Sequence, residues 1–296
     1  MPSLLCALLA LLLLNACGSV TGSGSDSPST IAVVAAENFY GDIVKQIGGD
    51  RVSVTSILAD PTVDPHEYES SVQNAIAVSN ARLVIENGGG YDGWMDRLLS
   101  ASPNSNRVVL TAYNLAPLKL PDNVHIWYSL ENMRTIAQAV MIHLQQLDPA
   151  HADLFKRNQQ QFEQAVSQVQ RQIDQIKSKY AGTAVGLTET IFLYQTGPLG
   201  LKVLTPFEFQ KAIAEGNDPP ANSVIIANDQ VSQHQIKVLI YNAQTRTPIT
   251  TNLLNAASGQ HIPIVPVTET MPAHQTYQQW MLDQLLALGQ ALQVGR

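Results

Sequence analysis

The stretch DPHEYESS, residues 64–71, places an imidazole on a stiff loop directly behind an apolar run. Pro65 fixes its own backbone φ and biases Asp64 toward extended geometry, so His66 leaves the end of a predicted strand in a defined direction. A histidine held in this way is suited to bind a metal ion. The alternative interpretation is that Asp-Pro forms only a turn and that His66 is a solvated loop residue.

The bulk composition restricts what such a histidine could bind. The chain has 296 residues, of which 45% are hydrophobic and 14% charged, and this is enough for two α/β lobes with cores. The formal net charge of -7 and the lack of a Lys/Arg cluster argue against nucleic acid as a partner and favour a cationic ligand.

The first residues, MPSLLCALLALLLLNACGS, are typical of an export signal because the apolar run is too short for a stable spanning helix and ends in small residues. Residues 1–16 are predicted to be removed. The stretch around Cys17 resembles a bacterial lipobox, which implies lipidation of Cys17 and anchoring to a membrane. Residues 17–30 are rich in Gly and Ser and predict a flexible tether. The other cysteine, Cys6, lies in the signal, so any metal site must use nitrogen and oxygen ligands.

Short apolar, β-branched runs alternate with helical stretches in two sets, which predicts two Rossmann-like α/β lobes with parallel sheets. The predicted strands are IAVVAA, RVSVTSIL, ARLVIEN and RVVL in the first lobe, residues 31–147, and AVGLT, LKVL, IKVLIYN and IPIVPV in the second, residues 183–296.

Residues 148–182 predict one long helix between the two lobes. Asp148 can cap its start, Pro149 suits the first helical position and Gly182 the end. One apolar stripe runs along roughly 45 Å of helix at 1.5 Å per residue. A helix that connects the lobes explains this length better than an ordinary surface helix does. The stripe consists of Phe155, Phe162, Val166, Val169, Ile173, Ile176 and Tyr180.

The signal, tether, lobes and connecting helix resemble the manganese- and zinc-binding substrate-binding proteins of bacterial ABC importers, periplasmic solute-binding protein family 9. That family's first metal ligand is the histidine of a D-P-H-x-[YF]-E-P motif, which DPHEYES matches except at Ser70. The second is the histidine of N-P-H-x-W, which DNVHIW matches at His125 with Val124 in place of proline. The resemblance therefore implies that His66 and His125 are metal ligands in the cleft between the lobes.

The resemblance implies two further ligands from the second lobe. Glu189 opens ETIFLY at a position where the family has histidine, and Glu269 in VTETMP stands where many relatives have aspartate. Glu189 could instead cap the following helix, and Glu269 could be solvated. In that case another residue of the second lobe would complete the site, and the alternatives are Asp229, Asp218 and His274.

The residue types agree with these assignments, because each of the four follows an apolar run, where α/β strands deliver loops to a crevice. Two imidazoles and two carboxylates suit Mn²⁺, Zn²⁺ or Fe²⁺ rather than Cu⁺. The absence of a His-rich loop before His125 favours manganese slightly. Trp127 and Tyr194 are expected to pack against the site, and structural roles are expected for His143, His151, His234 and His261.

Four function classes can be weighed. A metal-import receptor needs a closed shell of protein ligands, whereas a metallohydrolase needs an open position for water and a general base, for which Glu67 or Glu69 would have to serve. We therefore expect no enzyme, but an extracytoplasmic, monomeric lipoprotein that delivers one divalent ion to an ABC permease. The alternative is a surface adhesin with a structural metal site. A receptor for organic solutes would need different pocket walls.

Overall fold

The computed structural model describes residues 30–60, 63 and 68–295. The predicted signal, Cys17, nearly all of the predicted tether, and His66 lie outside these described residues. Each of the eight apolar runs contains a strand. The inner strands of both sheets are nearly continuous buried segments, as expected of parallel strands covered on both faces.

The first sheet consists of four parallel strands in the order β2-β1-β3-β4. Its register places Ile31 beside Val52 and Leu83 beside Val108. The strands are β1 (Ile31–Glu37), β2 (Val52–Leu58), β3 (Leu83–Glu86) and β4 (Val108–Thr111). The helices of this half are α1 (Asn38–Gly48), α2 (Val72–Asn80), α3 (Gly93–Ala101), α4 (Ala112–Leu115) and α5 (Leu130–Leu147).

The second sheet repeats the same parallel topology in the order β6-β5-β7-β8. Its strands are β5 (Ala184–Leu187), β6 (Lys202–Val203), β7 (Val238–Asn242) and β8 (Ile264–Val267). Its helices are α7 (Leu193–Leu199), α8 (Phe207–Ala214), α9 (Ala221–Ser232), α10 (Pro248–Gly259) and α11 (Tyr277–Val294). Two parallel sheets linked by a long helix confirm the predicted fold class.

The connecting helix, α6 (Ala152–Tyr180), packs against α1 and α5 of the first half and against α7 and α11 of the second. The predicted apolar stripe is buried from Phe155 to Ile176, while Tyr180 is half-buried.

The two ends of α6 differ in how well they were predicted. Gly182 follows the last capping residue and has a φ of 82°, as expected of a terminating glycine. Asp148 does not cap α6, because a 3₁₀ turn, Pro149–His151, comes first. The Asp148 carboxylate instead accepts hydrogen bonds from Arg51 Nε and His151 Nδ1.

One hydrophobic core runs through both sheets and α6. Aromatic rings join the halves at its centre: Phe39 of α1 stacks on Trp127 at 4.8 Å and on Trp280 of α11 at 5.8 Å. Such dense packing resists continuous deformation, so any relative movement of the two halves must be small or must break this cluster. Within the described ranges, no helix has both the length and the apolarity needed to cross a bilayer.

Candidate metal centre

Polar side chains collect where the strands of the second sheet end. Glu189 and Glu269 follow β5 and β8 after one intervening residue each, and Asn242 is the last residue of β7 between them. The carboxyl ends of parallel strands meet at one edge of the sheet, so these three side chains converge. All three are buried, with exposed fractions of 1% for Glu189, 0% for Glu269 and 1% for Asn242.

His125 approaches this edge from the first half of the chain, in the turn that precedes α5. The side-chain oxygen Oδ1 of Asn123 lies 3.0 Å from the His125 backbone nitrogen and 2.9 Å from its Nδ1. Because Oδ1 accepts the backbone N–H, it is an acceptor for the ring as well, so Nδ1 carries the proton and Nε2 presents a lone pair. Asn123 also donates from Nδ2 to the Thr190 carbonyl at 2.8 Å, which ties this turn to the second half.

Three of the four residues predicted as ligands meet at one point. One donor atom each of His125, Glu189 and Glu269 lies within 4.8 Å of the others, and among the described residues no other group of three His, Cys, Asp or Glu side chains does so. His125 Nε2 is 3.9 Å from Glu269 Oε2. The fourth residue, His66, lies outside the described residues. An imidazole and two carboxylates at this spacing can hold a divalent transition metal.

The carboxylates share a hydrogen-bond donor. Asn242 Nδ2 lies 3.1 Å from Glu189 Oε1 and 2.6 Å from Glu269 Oε1. Thr245 Oγ1 lies 3.0 Å from the same nitrogen and 3.4 Å from Glu269 Oε1. One neutral amide therefore links two buried anions without adding charge to the site.

Tyr91 reaches Glu269 from the opposite sheet. Its hydroxyl donates to Glu269 Oε2 at 2.8 Å, and the loop that carries it has three glycines with positive φ, Gly88 to Gly90, where a side chain would be strained. The Asp92 carboxylate accepts the backbone N–H groups of Asn87 and Gly88, both at 2.7 Å, and so fixes this loop. Burial, followed by the charge of Glu269, raises the pKa of Tyr91 well above its usual value, so the hydroxyl remains a donor.

Gln244 holds the backbone on which Glu269 sits. Its Oε1 accepts the N–H groups of Glu269 at 2.7 Å and Thr270 at 3.0 Å. Its Nε2 donates to the Val63 carbonyl at 3.0 Å, three residues before His66 in the sequence. One side chain thus connects the Glu269 loop with the segment that leads to the predicted histidine ligand.

Three buried acidic side chains, Glu37, Glu86 and Asp92, interact with one another in the first lobe. Burial raises the pKa of Glu37 well above its usual value, and the charges of Asp92 and Glu86 raise it further. Burial also raises the pKa of Glu86 to about 7, although its hydrogen bond from Thr111 acts in the opposite direction. These carboxyls are not part of the group that contains His125.

The alternatives to the predicted carboxylate ligands lie elsewhere. Asp229, Asp218 and His274 are exposed and are not part of the converging group. Helix α7 begins at Leu193 and its N-terminus has no side-chain cap, so Glu189 does not cap it.

The expected packing residues lie in the walls of the site. Trp127 is fully buried, with its ring 5.2 Å from that of His125. The Tyr194 hydroxyl donates to the Asn123 carbonyl at 3.0 Å. Of the remaining histidines, His143 is half-buried on α5, His151 contacts Asp148, and His234 and His261 are exposed with positive φ.

Sequence reasoning did not find Asn242, Tyr91, Asn123 or Gln244. A signal existed for Asn242, because a polar residue that ends the apolar run IKVLIYN lies at the carboxyl edge of a parallel sheet. A signal also existed for Tyr91, which follows three consecutive glycines. Nothing in the local sequence indicated the roles of Asn123 and Gln244.

The architecture is that of a two-lobe solute-binding protein whose lobes are joined by one long helix, with candidate metal ligands from both lobes. The chain belongs to the family described as zinc-uptake complex component A, periplasmic (ZnuA), whose model matches residues 33–291. This match confirms the family resemblance seen in the histidine motifs. The family consists of binding components of importers and not of enzymes.

Individual relatives are more distant. The manganese-binding lipoprotein MntA of Halalkalibacterium halodurans is 27% identical over 164 residues, 54% of this chain and 54% of that protein. The metal ABC transporter substrate-binding lipoprotein SsaB of Streptococcus sanguinis is 31% identical over 164 residues, 51% of this chain and 52% of that protein. The chain thus spans about half the length of these curated relatives.

A solved structure supports the fold over nearly its whole length. The periplasmic zinc binding protein TroA from Treponema pallidum matches with a TM-score of 0.76 at 18% sequence identity, over 89% of this chain and 99% of that one. At this level of identity, the likeness shows a shared fold.

Proposed function

We propose that this protein captures one divalent transition metal ion outside the cytoplasm and delivers it to an ABC permease for uptake. His125, Glu189 and Glu269 bind the ion together with His66. The relatives named above, which are described as binding manganese or zinc or as serving metal ABC transporters, support this assignment.

One observation carries the proposal: a buried imidazole nitrogen and two buried carboxylates approach within 4.8 Å of one another. Two anions taken out of water at this spacing repel each other and lose their hydration, which is costly without a counter-charge. A divalent cation supplies that counter-charge. With neutral imidazoles, two carboxylates and a divalent ion give a site of no net charge, and the nitrogen and oxygen donors suit Mn²⁺, Zn²⁺ or Fe²⁺.

Delivery to a permease requires the receptor to stay near the membrane. We assign this to a lipid on Cys17, with residues 17–30 as the tether, residues 31–147 and 183–296 as the lobes and residues 148–182 as the connecting segment. The protein acts as a monomer at the outer side of the cytoplasmic membrane. Replacing Cys17 with Ala should release a soluble protein that still binds metal, as measured by fractionation and calorimetry.

Calorimetric titration with Mn²⁺ and with Zn²⁺ tests metal capture. The wild-type protein should bind one ion per chain, and His125→Ala and His66→Ala should each weaken binding strongly. His234→Ala changes an exposed histidine of the same protein and serves as the control. Undiminished binding in the His66→Ala, His125→Ala double variant would remove the site.

Uptake of labelled manganese and zinc by cells lacking this gene, with and without a restoring copy, tests the transport role. Import requires that uptake fall on deletion and return with the wild-type copy but not with His125→Ala. An adhesin with a structural metal would leave uptake unchanged in all three strains.

A further inference from the structure

Asn242 donates from one amide nitrogen to both candidate carboxylate ligands, at 3.1 Å to Glu189 Oε1 and 2.6 Å to Glu269 Oε1. We infer that Asn242 is a positioning residue that limits each carboxylate to a single metal-binding oxygen and thereby sets which metal the site prefers. This inference rests on the proposed metal-capture function and concerns how the site selects its ion.

The orientation of the Asn242 amide is fixed by its surroundings. Its Oδ1 accepts the backbone N–H of Gln244 at 3.0 Å, so Nδ2, which carries the two hydrogens, must face the carboxylates. The Asn242 backbone N–H donates to Thr188 Oγ1 at 3.3 Å, one residue before Glu189. The side chain is 1% exposed, at the end of a central strand. The amide is therefore held where it is and does not rotate freely between acceptors.

An amide suits this position because no other short side chain can donate hydrogen bonds to both carboxylates without adding a negative charge. A hydroxyl has one hydrogen and can donate to only one carboxylate, whereas a carboxylate would add a third negative charge. Hydrogen bonds to charged acceptors are roughly twice as strong as those between neutral groups, so a metal ion competes poorly for Oε1 of either glutamate. Glu269 Oε1 accepts from both Asn242 and Thr245, which uses its two lone pairs. The metal-binding oxygen of Glu269 is then Oε2, which accepts from Tyr91 at 2.8 Å, can offer its second lone pair to the ion and lies 3.9 Å from His125 Nε2.

Monodentate carboxylates keep the coordination number low. Zn²⁺ is well served by a few nitrogen and oxygen donors in tetrahedral geometry. Mn²⁺ favours octahedral coordination by oxygen, which bidentate carboxylates would help to supply. By occupying Oε1 of both glutamates, Asn242 favours zinc over manganese in a donor set whose carboxylates would otherwise favour manganese. Removing the amide should shift the preference toward manganese.

The test compares the wild-type protein with Asn242→Ala and Asn242→Ser by competition binding of Zn²⁺ against Mn²⁺. Loss of a group that orients a metal ligand typically weakens affinity about 10- to 100-fold. We expect the zinc affinity of Asn242→Ala to fall within this range and its manganese affinity to fall by less, so the zinc-to-manganese affinity ratio decreases. Asn242→Ser retains one donor and should be intermediate. Asn228→Ala removes an exposed asparagine of α9 and is the matched control.

The visible spectrum of the Co²⁺-bound protein would not change if Asn242 had only a structural role. Co²⁺ absorbs visible light strongly in four-coordinate sites and weakly in six-coordinate sites, so the spectrum reports the coordination number. The wild-type protein should give the strong spectrum and Asn242→Ala a weaker one. A weak, six-coordinate spectrum in the wild-type protein would overturn the inference without any variant, even if both variants fail to fold.

The two proposals can fail separately. If the wild-type protein binds none of the three ions, the proposed function is wrong. If it binds them with the four-coordinate spectrum, and both folded variants keep the wild-type affinity ratio and the wild-type spectrum, metal capture stands and the role of Asn242 is wrong.

Discussion

The Tyr91 hydroxyl donates a 2.8 Å hydrogen bond to Glu269 Oε2, so a side chain of the first lobe stabilises a buried negative charge of the second. In the metal-free protein this bond compensates a carboxylate that is 0% exposed. When a cation is bound, the ion itself compensates that carboxylate. The bond should therefore stabilise the metal-free protein more than the metal-bound one.

Tyr91→Phe tests this difference. The free energy of unfolding of the metal-free protein should fall by about 1.5–3 kcal/mol, the usual contribution of a hydrogen bond to a charged group. The free energy of unfolding of the zinc-bound protein should fall by a smaller amount. Thermal unfolding with and without Zn²⁺ measures both, with Tyr113→Phe as a control at a half-buried tyrosine outside the site. Equal losses in the two forms would contradict the argument.

Gln244→Ala should affect stability and metal binding together. The change leaves the N–H groups of Glu269 and Thr270 without their acceptor, and each buried donor left unsatisfied costs about 1–3 kcal/mol. It also cuts the link to Val63, so the Glu269 loop and the segment that leads to His66 should both move. We expect a lower midpoint in urea and weaker zinc binding by calorimetry.

Gln233→Ala, which changes an exposed glutamine after α9, controls for the loss of an amide in the same lobe. It should match wild type in both measurements. If Gln244→Ala unfolds earlier but binds zinc with wild-type affinity, Gln244 supports the fold without positioning Glu269.

The strands were predictable because each is a short apolar run between polar segments, and the two parallel sheets followed from the alternation of those runs with helices. The family motifs predicted His125, Glu189 and Glu269 as ligands, and the rule that ligands follow apolar runs holds for the two glutamates, after β5 and β8. It fails for His125, which lies in the loop between α4 and α5 and not directly after a strand. The start of α6 was not predictable, because Asp148 is engaged by Arg51, a residue distant in sequence, and a 3₁₀ turn takes its place at the helix start.

The residues that hold the ligands were beyond sequence reasoning for a similar reason. Asn123 joins His125 to Thr190, and Tyr91 reaches Glu269, so the role of each depends on a partner in the other lobe. An amide or phenol has no fixed spacing from such a partner along the chain. A histidine or glutamate ligand stands out by its type, whereas a buried asparagine becomes informative only when its acceptors are known.

Glu86 should make stability depend on pH. Burial raises its pKa from 4.5 to about 7. Between these values the unfolded chain has released the proton while the folded chain retains it, so the free energy of unfolding falls as the pH rises. The full effect of this one group is about 3 kcal/mol and is reached above pH 7.

Glu86→Gln removes that dependence while keeping an oxygen that can accept the hydrogen bond from Thr111. The free energy of unfolding of the variant should be close to that of wild type near pH 4 and higher than that of wild type near pH 8. Urea unfolding at a series of pH values measures the difference. Glu131→Gln, at an exposed glutamate of α5, makes the same charge change and should leave the pH profile parallel to that of wild type. A parallel profile in Glu86→Gln would show that Glu86 is ionised in the folded protein.

Glu189→His tests whether Glu189 selects the metal or supports a helix. The variant site would contain three imidazoles and one carboxylate, which should shift preference toward zinc because imidazole suits zinc and oxygen ligands suit manganese. A helix cap would instead contribute about 0.5–2 kcal/mol to stability with no effect on metal choice. Since α7 begins at Leu193 without a side-chain cap, we expect a changed zinc-to-manganese ratio and little change in the melting temperature of the metal-free protein.

Competition binding and thermal unfolding of the metal-free protein decide between these two roles of Glu189. Glu208→His, at an exposed glutamate of α8, introduces the same residue in the same lobe away from the site and should change neither quantity. An unchanged metal ratio together with a lower melting temperature would make Glu189 a structural residue. The remaining ligand would then have to come from another part of the lobe. Asp229 lies on α9 and His274 in the loop before α11, both exposed, so either could reach the metal only if that element moved toward Glu269.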